Sequence, residues 1–227
     1  MRVKFKIPRL ILMSVFLIIF SIAHGQNDIK KIELNIQRTI RQLIGKVDNK
    51  GNDSQLMRNS LSDLSKTTNL LFKKINSDNN INLESDSLFI SSLVNSQKTL
   101  DELVVHWESN SHAKSIIDAI QNDYSIKISA SALGANSKIL TEVQVTVFTK
   151  KGEIEIDGYD VKCNYLWDYR INIAKFVFNN QTNNAIRNLS PGYYVMWIEK
   201  NGTVIQKKDK VEIGNLQSQK ESIIFNL

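Results

Sequence analysis

The chain of 227 residues has one cysteine, Cys163. No internal disulfide is available, so packing alone must hold the fold. It has two prolines, and only Pro191 lies beyond the first eight residues, so little interrupts regular structure. No apolar run reaches the roughly 20 residues that a membrane-spanning helix needs. The longest, residues 10–23, has 14 residues, about 21 Å of helix at ~1.5 Å per residue. No acidic residue precedes Asp28. The strained Gly-x-Ser-x-Gly turn of serine hydrolases is absent, and so are the phosphate-cradling Gly-x-x-x-x-Gly-Lys and Gly-x-Gly-x-x-Gly loops.

The chain opens with a basic lead, Arg2, Lys4, Lys6 and Arg9, followed by the apolar run and then Ala23-His24-Gly25. This order is that of a cleaved secretory signal over residues 1–25, with small residues where a signal peptidase reads. The expected address is export, to the periplasm or outside the cell, with no stable membrane span once the signal is gone. No cysteine stands near the cleavage point, so a lipid-modified N-terminus is excluded. The lead carries four of the 29 basic residues, which leaves 25 against 23 acidic ones. Nucleic-acid binding needs a basic face that displaces counterions. So even a balance does not predict one, and no nucleic-acid partner is expected.

The apolar residues of the first half repeat at helical spacing. Ile29, Ile32, Ile36, Ile40, Leu43 and Val47 form one stripe, and Met57, Leu61, Leu64, Thr68, Leu71 and Ile75 form another. Phe89, Leu93, Leu100, Leu103, Val104 and Trp107 form a third after a cap at Ser85 or Asp86. Ser109-Asn110-Ser111 heads a shorter fourth helix with Ile116, Ile117 and Ile120. Narrow stripes joined by short breaks predict three to four antiparallel helices in a bundle over residues 26–122. A long coiled-coil hairpin is the alternative, since the same steps fit heptads.

From Tyr124 the period becomes two. Alternation around Ile126 and Ile128, then Val143, Val145 and Val147, then Val161, Cys163 and Tyr165, then residues 193–198, reads as short strands. Lys151-Gly152, Asp157-Gly158, Ser190-Pro191-Gly192 and Asn201-Gly202 supply turns. The expected fold class is α+β in two segregated parts. The helical bundle is followed over residues 123–227 by an antiparallel β-sandwich of about seven strands, immunoglobulin-like or prealbumin-like.

The run Leu189-Ser190-Pro191-Gly192-Tyr193-Tyr194-Val195-Met196-Trp197, followed by Lys200-Asn201-Gly202, resembles the proline-glycine-tyrosine strand of prealbumin-like sandwich modules. Carboxypeptidase regulatory-like domains are among these. The strand and turn of residues 143–152 are similar to the way such modules begin. The resemblance covers about half of residues 140–227 and none of the helices. It implies a sandwich of the kind that serves exported bacterial proteins as a non-catalytic accessory. The insert of residues 164–175 departs from the pattern.

Candidate chemistry is sparse. His106, Glu108 and His112 form His-x-Glu-x-x-x-His. However, His106 and Glu108 stand about 200° apart on a helix turning ~100° per residue, and Ser109-Asn110-Ser111 breaks the helix between them. No metal site and no cofactor are expected. Cys163 lacks a histidine in its half to act as a base, and alternation turns it inward, so it reads as an inert core thiol. No catalytic residue is nominated. Within Tyr165-Leu166-Trp167-Asp168-Tyr169-Arg170, three aromatics and an arginine crowd six residues at a strand end. Exposed, Tyr165, Trp167, Tyr169 and Arg170 would form a contact surface for a protein or glycan. Enclosed, the aromatics would plug the sandwich.

The expected function is a non-enzymatic binding or scaffolding protein of the bacterial envelope, its protein or glycan partner and oligomeric state left open. Two alternatives stand beside it. One is a small periplasmic hydrolase or metal-dependent enzyme with a site between the halves. The other is a structural stalk that homo-oligomerises through the bundle.

Overall fold

The structure is a computed structural model. It describes residues 9–47, 52–78, 81, 86–107, 109–130, 139–168, 175–215 and 218–227, with side chains from residue 28 onward except at Asn52. Four helices come first: α1 (Arg9–Lys46), α2 (Asn52–Ser77), α3 (Ser87–Val105) and α4 (Asn110–Ser129). Helix α1 runs unbroken from the apolar lead into the bundle. Its buried stripe is Ile29, Ile36, Ile40, Leu43 and Val47, facing Met57, Leu61, Leu64 and Leu71 of α2 and Phe89, Leu93 and Leu100 of α3. Helix α1 packs on α2 and α3, and α2 on α4, while α3 and α4 touch least. The helices therefore follow one another around the bundle in the order α3-α1-α2-α4, with α4 and α3 meeting the second half of the chain.

Two starts can be compared with the sequence. Ser109 caps α4, accepting from the His112 N–H at 3.3 Å. Asp86 precedes α3 but makes no side-chain cap bond; its carboxylate instead accepts from the Thr141 hydroxyl at 2.8 Å. The strand expected around Ile126 and Ile128 is a correction: those residues form the last turns of α4. Ile116, Ile120, Asp123, Tyr124 and Lys127 are buried at steps of three and four. That continuous stripe outweighs an alternation only five residues long.

Among its described residues the second half holds eight strands, where about seven were expected. They are β1 (Val143–Lys151), β2 (Ile154–Glu155), β3 (Asp160–Tyr165), β4 (Phe176–Val177), β5 (Ala185–Leu189), β6 (Gly192–Lys200), β7 (Thr203–Ile213) and β8 (Lys220–Asn226). One four-stranded sheet centres on β1, which pairs with β2, β5 and β8; the other runs β4-β3-β6-β7. All pairs are antiparallel except one, since β8 lies parallel to β1. The turn after β7 carries the chain across to the other sheet instead of back along its own.

Alternation sets the sandwich interior. Val143, Val145 and Val147 face Val161, Cys163, Tyr165, Tyr194, Met196 and Ile198, all 0–1% exposed. The two open sides of the sandwich are each covered by a cation over a phenylalanine. Arg187 lies 5.5 Å from the Phe176 ring and donates to the Val177 carbonyl at 2.5 Å. Lys208 lies 5.3 Å from the Phe225 ring. The β6–β7 hairpin has Asn201 at φ 52° and Gly202 at φ 77°, both in the left-handed region that a tight hairpin needs. One apolar cluster runs without interruption through both halves.

Gly45 sits inside α1 with open space where a Cβ would go, so Gly45→Ala should raise stability by about 0.5–1 kcal/mol. Gly202→Ala should lower it by about 1–2 kcal/mol. Urea unfolding curves of the two variants check both signs.

Candidate functional site

Two places concentrate polar groups: the junction between helices and sandwich, and the sandwich end remote from the helices.

The junction is built from α4, the start of β6 and the short 3-10 turn Leu166–Asp168, which sits against both α3 and α4. Asp123 and Lys127, one helical turn apart, are both wholly buried. The Lys127 ammonium donates to the Asp123 carboxylate at 2.6 Å and to the Pro191 carbonyl at 2.6 Å. The Tyr193 N–H donates to the other Asp123 oxygen at 3.2 Å. Gly192 lies between these contacts, and a Cβ there would fall 2.0 Å from that oxygen. Only glycine lets strand β6 come so close. Burial raises the Asp123 carboxyl, opposed by the neighbouring ammonium. Burial lowers the Lys127 ammonium, opposed by the carboxylate. Desolvation thus works on both groups toward their uncharged forms, and each holds the other charged.

The sequence-nominated aromatics belong to this junction. Tyr165 and Trp167 are each 1% exposed. Their rings stack with centroids 4.7 Å apart and planes 7° apart. Phe176 meets Tyr165 edge-on at 5.2 Å, and Tyr194 lies 5.1 Å from it. The Trp167 Nε1 hydrogen is enclosed with no partner at hydrogen-bond distance. Enclosed rings cannot meet a partner, so Tyr165 and Trp167 are corrected from surface contacts to the plug of the junction. Tyr169 and Arg170 lie outside the described residues.

The remaining candidates are placed as follows. His106 ends α3 and His112 lies in the first turn of α4, while Glu108 is outside the described residues. Among the described residues, no three His, Cys, Asp or Glu side chains are grouped to hold a metal. Cys163 is buried, and burial pushes its thiol up.

The remote end holds a polar depression of about 650 Å³ that sequence reasoning missed. Asp157 and, at the start of β3, Asp160 line it on one side, and residues 178–182 with Asn184 line it from a second loop. The second loop is fixed from beneath. The Thr182 N–H donates to the Tyr159 carbonyl at 2.9 Å, and the Asn183 N–H to the Val147 carbonyl at 2.8 Å. Asn183, at φ 69°, accepts from the Thr149 N–H at 3.1 Å, and its amide donates to Asp157. Gln181 donates to Asp160 at 3.3 Å. The lining supplies carboxylates, amides, one hydroxyl and the Phe178 ring, and it includes no basic side chain. In sequence these loops read only as Asp-Gly and Asn-rich turns. The one further signal, their convergence, needs the sheet register.

Comparison of the chain with protein-family models, with characterised proteins and with solved structures found no match.

Removing one partner of the buried pair strands the other charge. Asp123→Ala and Lys127→Ala should each cost about 3–5 kcal/mol, while Asp123→Leu with Lys127→Met should recover most of it. Gly192→Ala should cost at least about 2 kcal/mol. Denaturant titrations rank the four variants. Cys163 should resist Ellman's reagent in the folded chain at neutral pH and react fully once denaturant exposes it.

Proposed function

We propose that the chain is an exported, non-catalytic binding protein of the bacterial envelope whose ligand site is the depression remote from the helices. The carrying observation is the lining itself: two carboxylates and several side-chain amides converge on a floor braced by backbone hydrogen bonds. A surface rich in both acceptors and donors, with an aromatic ring and no cation, suits a hydroxyl-rich ligand such as a neutral glycan segment, and repels anions. The resemblance of residues 189–202 to prealbumin-like accessory modules agrees with this reading. So does the apolar lead, which is the basis for placing the protein beyond the inner membrane. The junction, where a catalytic site between the halves was an alternative, has its carboxylate and ammonium already committed to each other, to Pro191 and to Tyr193.

Isothermal calorimetry of the full chain against a panel of neutral oligosaccharides tests the reading. Binding should weaken roughly tenfold or more in Asp160→Ala with Asn184→Ala, without a change in melting temperature. Binding that survives both substitutions, or no binding across the panel, would remove the depression from this role.

A further inference from the structure

The 12 basic and 12 acidic residues of positions 27–122 balance only in total. From Asn27 onward, α1 and α2 hold 9 basic and 4 acidic residues, while α3 and α4 hold 3 and 4. The sandwich and the 3-10 turn meet α4 and α3, so α1 and α2 lie on the side away from the sandwich. That outer side carries the bundle's excess of cations.

The cationic side has a repeated pattern. On α1, Lys31, Leu34, Arg38 and Arg41 are exposed at steps of three and four, pointing away from the buried stripe. On α2, Lys66, Leu70 and Lys73 do the same. The two stripes run side by side, because Gln37 reaches across to Asn69 at 2.8 Å and to the Ser65 carbonyl at 3.1 Å. Each places a leucine between cations, and those leucines are far from buried: Leu34 is 61% exposed and Leu70 is 59% exposed. On α2, Lys66 pairs with Asp63 at 2.9 Å, while no ion pair among the described residues involves Lys31, Arg38 or Arg41. Cations in that number are costly to crowd without counter-charge, and leucines gain nothing from water.

We infer that the α1–α2 face docks on an anionic phospholipid surface. Lysine and arginine meet phosphate headgroups while the leucines between them reach the acyl boundary, the division of labour of an interfacial helix. Charge complementarity carries this choice of occupant. Among the described residues no helix is long and apolar enough to cross a membrane, so the contact lies along the surface.

The test is flotation of the full chain with phosphatidylcholine vesicles, with and without phosphatidylglycerol. The four cations of the lead favour anionic vesicles equally in parent and variants, so the change on substitution reads the face. The expected result is at least tenfold stronger association with the anionic vesicles at about 0.1 M salt, fading as salt screens the charges. Lys31→Gln, Arg38→Gln and Arg41→Gln together should reduce that ratio by about fivefold or more. Lys207→Gln with Lys210→Gln on the sandwich should leave it unchanged. Circular dichroism melts confirm that both variants fold. Equal association with the two vesicle types, or a helical variant that behaves as the parent, overturns the inference. Two further outcomes also overturn it. One is tighter binding to soluble polyglutamate or DNA, which makes the face a dock for an acidic macromolecule. The other is a dimer in light scattering that the helical variant dissolves, which makes it a contact between copies.

Discussion

A single ion pair removed from water decides how the two halves meet. Asp123 and Lys127 project from the last turns of α4 into a place with no solvent, and neither could stay charged there alone. Pro191 answers them with its carbonyl and strand β6 with the Tyr193 N–H, and Gly192 leaves room for the approach. Apolar packing would hold helices and sandwich together in many relative settings. A pair of charges that needs two named backbone groups permits far fewer. The Tyr165–Trp167 stack, the Tyr194 hydroxyl on the Ser190 carbonyl and the Ser96–Tyr124 contact then fill in around that fixed point.

The sequence made the architecture legible wherever one periodicity persisted. Four helical stripes and the hairpin at Asn201-Gly202 appear where spacing and turn chemistry put them. It misled near residue 124, where Ile126 and Ile128 alternate by chance inside a helix whose deeper stripe continues through Lys127. Had the helix been extended there, Asp123 and Lys127 would have stood out as an i, i+4 charge pair on the buried face. The aromatic cluster at residues 165–170 was visible, but its direction was not. Whether a Trp points to solvent or to a neighbouring helix depends on where that helix docks. The remote depression was hidden for a similar reason. Its two loops lie far apart in sequence, and the pairing of Asp160 with Glu199 and the reach of Asn183 to β1 bring them to one end.

Totals concealed a further property. Even numbers of acids and bases describe a neutral bundle only if the charges are mixed, and here the excess of cations lies on α1 and α2. That placement gives the molecule a direction. The cationic helix face, the junction with its buried ion pair, and the polar loop end follow one another from one extremity to the other. On the readings proposed above, one extremity meets lipid headgroups and the other presents a ligand site to the space beyond. The junction keeps the two from swinging freely.

The pairing of β8 with β1 has a consequence for timing. Strand β1 is the hub of its sheet, yet its long partners are β5 and β8, and even Leu227 still donates to the Lys150 carbonyl. A ribosome delivers β1 long before either partner. Until β8 emerges, one flank of the hub has nothing to bond, so the sandwich closes only after β2 to β7 have all been made.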